Sequence, residues 1–245
     1  GTGYRASMKS WIRSSDARKQ VHCLEITAEH FFDGSDDLLH ELRQDYPLFV
    51  HGLGLSLGTP GPLDAPTLER FAAVADAADA KWVSEHIAFT RAGGVDLGHL
   101  NPVPHTRAML DTLVEHTRQV AQRCCRPILL ENITSHLPIG GEMDETDFIN
   151  ELCHRADCGL LLDVTNLFIN SRNHDFDPIV WLDRIDTARI TQLHIVGYNY
   201  HDGCYHDSHA ARIQNDVMAL LSIVLERAPV QAVILERDDE PILID

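Results

Sequence analysis

The sequence predicts one parallel (β/α)8 barrel, a TIM barrel, that spans residues 1–245 as a single domain. Short strand-like apolar runs alternate with longer stretches of helical periodicity along the chain, which is the pattern of a parallel α/β fold. Seven of these runs end in an acidic or imidazole side chain. Because a barrel gathers the carboxyl ends of its strands around one pocket, these side chains are predicted to converge on one site.

The apolar runs and the helical periodicity together predict eight strands and seven helices. The strands are expected near 1–3, 21–26, 47–53, 82–87, 127–131, 159–164, 190–196 and 230–236, and the first is barely present. The helices are expected near 5–14, 36–44, 66–79, 103–123, 144–156, 178–186 and 210–227. Pro66, Pro104 and Pro178 occupy first-turn positions, where the missing proline N–H group would have no partner anyway. No helical pattern follows Glu236, so we expect a short or missing last helix.

The net charge and the cysteine content indicate which binding partners and which cellular compartment to expect. The formal net charge of -17 disfavours a phosphate-backbone ligand, which needs a Lys/Arg footprint, so we expect neither nucleic acid nor an anionic membrane surface as partner. The six cysteines form no CxxC pair, which favours a reduced, cytoplasmic setting. No apolar run approaches the roughly 20 residues of a membrane span.

Six of the predicted strand ends carry groups that need a partner if they are buried. They are His51, His86, Glu131, Asp163, His194 and Glu236. Burying each without compensation would cost several kcal/mol. A bound cation is the simplest explanation, and a mixture of imidazole and carboxylate ligands suits iron, manganese or catalytic zinc.

Three further residues extend this candidate set. Asp207 and His209 are two residues apart in a predicted loop. If the loop is extended, both side chains point the same way and can bind one ion. Asn166 either supplies an amide oxygen or caps the turn after Asp163. Nine candidates are too many for one ion with open positions, so two or three adjacent ions are expected, with Glu131 as the bridging ligand.

Further polar residues lie near the predicted strand ends. Because side chains alternate along a strand, only one of Glu85 and His86 faces the interior, and we assign that place to His86. Glu29, Asn132 and Arg237 are candidates for hydrogen bonding to a ligand, with surface or packing roles as the alternative. His201 and His206, in the loop before Asp207, either shuttle protons or are simply exposed.

A series of short motifs runs in order from Gly3 to Asp238. They read Leu24-Glu25-Ile26 with Glu29, His51-Gly52-Leu53, Ser84-Glu85-His86, Leu130-Glu131-Asn132, Leu162-Asp163-Val164-Thr165-Asn166, Leu193-His194-Ile195 with Gly197, Asp207-Ser208-His209 and Glu236-Arg237-Asp238. Their combination resembles the multinuclear non-heme iron-dependent oxidative enzymes, a family that includes the methanobactin biosynthesis oxidases. That family is itself similar in fold to xylose isomerase and endonuclease IV.

The resemblance implies an enzyme that uses two or three irons, in mixed Fe(II)/Fe(III) states, and O2 to oxidise a residue of a ribosomally made precursor peptide. Cysteine is the expected target, with aspartate as a second possibility, and a partner protein is expected to deliver the peptide. The implied iron ligands are His51, His86, Glu131, Asp163 or Asn166, His194, Asp207, His209 and Glu236.

The chain departs from the family pattern in loops that face the expected pocket. Members often carry His at the position of Tyr198, Asn at that of Thr165 and a His-Pro stretch where residues 210–213 read Ala-Ala-Arg-Ile. These departures leave the main ligands intact but affect the substrate type and a third metal position. Tyr198, His201 and His206 are therefore the loop candidates for substrate binding.

Two other functions remain open for such a barrel. One is a divalent-metal sugar isomerase or epimerase, or a metal-dependent hydrolase, but no lysine closes a predicted strand and the acidic balance disfavours DNA as a substrate. The other is a noncatalytic metal-binding module, whose ions would be saturated by protein ligands.

Overall fold

In a computed structural model, which describes residues 1–34, 36–209 and 211–237, eight parallel strands close into a barrel. The predicted fold class is confirmed. The barrel strands are β1 (Thr2–Gly3), β2 (Leu24–Thr27), β3 (Leu48–His51), β4 (Val83–His86), β7 (Ile128–Glu131), β8 (Gly159–Asp163), β9 (Ile190–Ile195) and β12 (Ala232–Leu235). Closure depends on the short β1, in which Thr2 pairs with Leu24 on one side and with Leu235 on the other.

Helices surround the barrel between its strands. They are α1 (Lys9–Ile12), α2 (Ala17–Gln20), α3 (Asp36–Asp45), α4 (Ala65–Ala77), α5 (Arg107–Cys124), α6 (Glu145–Ala156), α7 (Val164–Asn173), α8 (Pro178–Arg184) and α9 (Asn215–Arg227). Local sequence sets several boundaries, because Asp64 and Thr106 accept hydrogen bonds from the first-turn N–H groups of α4 and α5. The expected helix near 103–123 therefore begins at Arg107.

Two β-hairpins were not among the predicted elements. One joins β5 (Ala88–Ala92) to β6 (Val95–Pro102), and the other joins β10 (Gly197–His201) to β11 (Cys204–Ser208). Their turns are Gly93-Gly94 and Asp202-Gly203, all with positive φ. Such dipeptides favour two-residue hairpin turns, so the sequence held the signal for both.

The helix predictions need four corrections, of which the first is that the short α2 was not predicted. Helix α7 was not predicted, because Asp163 both ends β8 and caps α7 through the N–H group of Asn166, which leaves no loop between them. The stretch near 5–14 is a 3-10 turn followed by the short α1, and the helix expected from 210 begins at Asn215. The expectation of a short or missing last helix concerns residues after Arg237, which lie outside the described residues.

The interior of the barrel has an apolar layer beneath a polar one. Phe49, Trp82, Leu129, Leu161 and Ile234 belong to a buried cluster separate from the main core, and the rings of Phe49 and Trp82 stack 4.0 Å apart. Residues two positions later on a strand point to the same side. The side chains that follow on these strands are His51, Ser84, Glu131, Asp163 and Glu236. The strand pattern thus directs a ring of polar groups to the carboxyl-terminal mouth.

Among the described residues, the helices are too short or too polar to span a bilayer.

Candidate metal centre

The six strand-end residues do converge in the structure. Two groups of donor atoms each lie within 4.8 Å of one another. The first consists of His51, His86 and Glu131, and the second of Glu131, Asp163, His194 and Glu236. Glu131 belongs to both groups, and its side chain is buried at the centre of the site.

The first group encloses a point suited to a cation. Glu131 Oε2 lies 3.4 Å from His51 Nε2 and 3.4 Å from His86 Nε2. This oxygen is buried and has no hydrogen bond to any described residue. Ligands about 2.1 Å from an ion are separated by about 3.0–3.4 Å in octahedral or tetrahedral geometry. The spacing and the orphaned oxygen therefore fit a metal ion held between the three side chains.

The second group is built around His194. Its Nδ1 lies 3.0 Å from Glu131 Oε1 and 3.3 Å from Glu236 Oε2. Asp163 completes the group, and one of its oxygens accepts a hydrogen bond from the Asn166 N–H group at 2.7 Å. The two oxygens of Glu131 thus face different imidazoles, which is the arrangement that a bridging carboxylate requires.

Each imidazole is oriented by a hydrogen bond on its other nitrogen. His51 Nδ1 lies 2.8 Å from Ser84 Oγ, His86 Nδ1 lies 3.0 Å from Glu85 Oε1, and His194 Nε2 lies 2.9 Å from Glu25 Oε1. Metal-binding histidines are typically held in this way, because the outer partner fixes the tautomer and the direction of the ring. The remaining nitrogens, Nε2, Nε2 and Nδ1, face the cluster.

Sequence reasoning missed these outer partners. Strand alternation assigned the inward position to His86, and Glu85 Oε1 accepts hydrogen bonds from both the backbone N–H group and Nδ1 of that histidine. Glu85 Oε2 also accepts from the Leu55 N–H group at 2.9 Å. For Glu25 the signal was strand alternation, because it lies two residues after Cys23, a member of the same buried cluster as Phe49.

The charges of the site favour a cation. Burial lowers the pKa of His51, and the neighbouring His86 lowers it further. Burial alone would lower the pKa of His86. The negative charges of Glu131 and Glu85 outweigh this effect and raise the pKa to about 9. Burial, followed by the negative charges of Asp207 and Glu131, raises the pKa of Asp163 well above its ordinary value. Crowded carboxylates that repel one another are stabilised by a positive ion.

Asp207 and His209 lie at the end of the β10–β11 hairpin. Asp207 Oδ2 is 3.0 Å from His209 Nε2, so residues at i and i+2 do face each other. Electrostatically, Asp207 acts on Asp163 and His209 acts on Glu236. Neither belongs to the two donor groups, and both therefore stand beside the cluster.

The role of Asn166 as a ligand stays a prediction. Its side-chain oxygen accepts a hydrogen bond from Thr134, and its amide donates to the Asn132 carbonyl at 3.2 Å. Both contacts tie the loop after β7 to the start of α7. The cap of α7 itself is Asp163, which accepts the Asn166 N–H group.

The other candidates occupy different positions. Asn132 holds the backbone of Asp163 by two hydrogen bonds, of 2.9 and 3.0 Å. Glu29 accepts from the Leu53 N–H group at 2.9 Å and so supports the loop after β3. Arg237 follows Glu236 at the end of the described residues.

The three candidates for substrate binding lie on the two opposite faces of the β10–β11 hairpin. Tyr198 stacks on Phe168 with ring centroids 5.1 Å apart and donates its hydroxyl to Asp216 at 2.9 Å, which fixes it in packing. His201 and His206 lie on the opposite face with their rings stacked 3.9 Å apart. Their part in substrate binding remains a prediction.

Comparison with known proteins then identifies the family. The model of the RiPP precursor modification enzyme MbnB/TglH/ChrH family matches residues 1–242. The chain belongs to this family. Two similar relatives are each named UPF0276 protein. One from Rhizorhabdus wittichii is 30% identical over 98% of this chain and 87% of its own length, and one from Shewanella oneidensis is 35% identical over 97% and 86%.

Solved structures of other proteins share the fold of this chain. The apo 3-keto-D-glucoside 4-epimerase YcjR from E. coli has a TM-score of 0.62 at 14% identity and covers 98% of this chain and 93% of its own. The D-psicose 3-epimerase from Clostridium cellulolyticum H10 has a TM-score of 0.59 at 16% identity, with 96% and 81% covered. At such identities the likeness concerns the xylose isomerase-like barrel alone.

Proposed function

We propose that this member of the family is a multinuclear iron- and O2-dependent oxidase that modifies a residue of a ribosomally synthesised precursor peptide. Cysteine is the proposed target, with aspartate as the second candidate. Family membership supports a peptide precursor as the substrate class. The observation that carries the metal proposal is Glu131, whose two oxygens face two separate sets of imidazoles and carboxylates.

The proposed iron ligands are the six clustered side chains, with Asp207, His209 and Asn166 as further candidates. Bound iron would supply one-electron chemistry with O2 that none of these side chains can perform. The choice of iron is supported by the donor set, because imidazole and carboxylate ligands without thiolate suit non-heme iron. Two or three ions are proposed, in mixed Fe(II)/Fe(III) states.

The protein's own residues would prepare this site in three ways. Ser84, Glu85 and Glu25 hold the three histidine rings in position, so little reorganisation is needed when ions bind. Asn132 fixes the backbone of Asp163. The apolar layer around Phe49 and Trp82 closes the barrel below the cluster, which leaves the carboxyl-terminal mouth as the route for peptide and O2.

The proposed function also implies a cytoplasmic location for the protein. A ribosomally made precursor arises in the cytoplasm, and the described cysteines are all free, as expected in a reducing compartment. We also propose that a separate protein delivers the precursor peptide to the mouth of the barrel.

Co-expression tests the activity directly. Short open reading frames beside the gene that encode cysteine-containing peptides are expressed with the enzyme, and each peptide is analysed by mass spectrometry. The proposal expects a peptide mass change that requires iron and O2 and is lost in Glu131→Gln. A mass change that persists without O2, or with zinc or magnesium as the only metal, would favour an isomerase-like or hydrolytic reaction instead.

A further inference from the structure

A cavity of about 400 Å³ lies beside the candidate metal centre. Its wall includes Ile87 and Asn132, the residues that directly follow His86 and Glu131 in the chain. The two strand ends are joined there, since the Ile87 N–H group donates to the Glu131 carbonyl at 2.9 Å. The cavity therefore opens on the same mouth of the barrel as the metal ligands do.

The surface of the cavity is mainly apolar. Its lining comes from the residue after β4, the segment before α5, the loop after β7, α6, and α7 with the turn that follows it. The apolar ones that matter most are Ile87, Val103, Ile133, Met143, Phe148 and Phe176. The volume falls in the range of ligand pockets, which is about 300–1,000 Å³.

The polar side chains of the wall are already engaged within the protein. Asn170 accepts from the Ser135 N–H group and donates to the Ile133 carbonyl, both at 2.9 Å. His174 Nε2 lies 2.7 Å from the Ser135 carbonyl. At the rim, Glu145 accepts a hydrogen bond from the Trp181 indole at 2.7 Å. The second acidic side chain of the lining, Asp144, accepts a hydrogen bond from Arg184 at 2.9 Å, so both carboxylates are engaged within the protein.

His105 also presents an uncharged surface. Its ring packs against Phe148 with centroids 4.9 Å apart, and burial lowers the pKa of its imidazole. Its carbonyl accepts hydrogen bonds from the N–H groups of Glu142 and Met143 at 3.0 and 3.1 Å. A Cβ added to Gly141 would lie 2.5 Å from that carbonyl oxygen. The loop after β7 is thus seated tightly on His105, and the cavity is formed in advance of any ligand.

We propose that this cavity is a specificity subsite for a large uncharged side chain of the substrate peptide, of the Leu, Ile, Met or Phe class. An extended peptide advances about 3.5 Å per residue, and the cavity begins one residue beyond two of the proposed ligands. The occupant is therefore a side chain close in sequence to the modified residue. This inference rests on the proposed function, because it takes the ligand to be a peptide.

The test uses metal-free protein and small probes in place of the unidentified peptide. N-acetyl-phenylalanine amide is titrated by ligand-observed NMR, with N-acetyl-aspartate amide and N-acetyl-lysine amide as charged probes. Met143→Trp fills the cavity. Met218→Trp, the same substitution at an exposed methionine of α9, is the matched control.

The phenylalanine probe is expected to bind saturably to wild type and to Met218→Trp, and about tenfold or more weakly to Met143→Trp. The charged probes are expected not to saturate. Ile139→Trp, on the loop after β7, gives a second filled cavity if Met143→Trp does not fold. Absence of saturable binding, or equal affinity in the filled variants, overturns the subsite.

Failure of the subsite is distinguishable from failure of the oxidase. The titration needs no iron, so a lost probe site leaves the oxidase proposal intact. Conversely, native protein that binds the probe but never acquires iron overturns the oxidase and retains a pocket for apolar ligands.

Discussion

Replacing Glu85 by Gln tests whether the outer partners of the histidines prepare the metal centre. The substitution keeps the shape of the side chain but removes the negative charge that lies 3.0 Å from His86 Nδ1. Loss of such an outer partner typically costs about 10–100-fold in metal affinity, which corresponds to about 1.4–2.7 kcal/mol. We expect a loss in this range for the ion that His86 binds.

The size of the loss should depend on pH. A group with a raised pKa holds its proton below that pKa, and a metal must displace it. With the pKa of His86 at about 9 in the ion-free protein, proton competition at pH 7 weakens binding by about 100-fold. Because Glu85 helps to raise this pKa, Glu85→Gln weakens the proton competition as well. The affinity difference should therefore be smaller near pH 7 than near pH 8.5, where less of the imidazole holds a competing proton.

The assay is anaerobic Fe²⁺ titration against a competing chelator at about pH 7 and about pH 8.5. Glu69→Gln, at an exposed position on α4, serves as the matched control and should bind as wild type does. His86→Ala should lose the site altogether. If Glu85→Gln bound iron as tightly as wild type at both pH values, while it melted at the wild-type temperature, the proposed role of the outer partners would be refuted.

Three further results are expected. Glu131→Gln should lose most bound iron and peptide-modifying activity, since one residue faces both donor groups; metal analysis that found full iron content would contradict the bridging role. Asn166→Ala should keep the iron stoichiometry but lower the free energy of unfolding by about 1–3 kcal/mol, because it leaves the Asn132 carbonyl without its donor; a lost iron in metal analysis would instead make Asn166 a ligand. Asp64→Ala should cost about 0.5–2 kcal/mol in urea unfolding through loss of the α4 cap, whereas Asp144→Ala, whose side chain makes no cap hydrogen bond, should cost less.

The barrel and the ring of strand-end residues were predictable because both depend on short-range patterns. Apolar runs that end in His51, Glu131 or Asp163 give the strands and their direction, and closure of a parallel sheet brings the ends together. Two-residue alternation then predicts which side chains point inward, and His86 does lie in the first donor group.

The hydrogen-bond partners of the proposed metal ligands were harder to predict from the sequence than the ligands themselves. The contact between the Glu25 carboxylate and the His194 imidazole joins β2 to β9. These two strands are not neighbours in the barrel. Its existence depends on the side-chain packing across the barrel, which no local pattern encodes. Asn132, by contrast, was identified as a candidate, but its contact proved to be with the backbone of Asp163 rather than with an imidazole.

The two hairpins and α7 were missed for a different reason. The Gly93-Gly94 and Asp202-Gly203 turns are local signals that apply to antiparallel pairs, and they were passed over within an otherwise parallel pattern. Helix α7 was hidden because one residue, Asp163, serves as strand end and helix cap at once. All three elements lie around the mouth of the barrel, where loops vary most.

Metal analysis of protein purified anaerobically and without chelator, combined with Mössbauer spectroscopy, tests the central claim most directly. The arrangement of donors around Glu131 predicts two or three irons per chain, with spectra of a magnetically coupled cluster that is lost in Glu131→Gln. A single zinc, manganese or magnesium ion, together with activity that continues without O2, would contradict it.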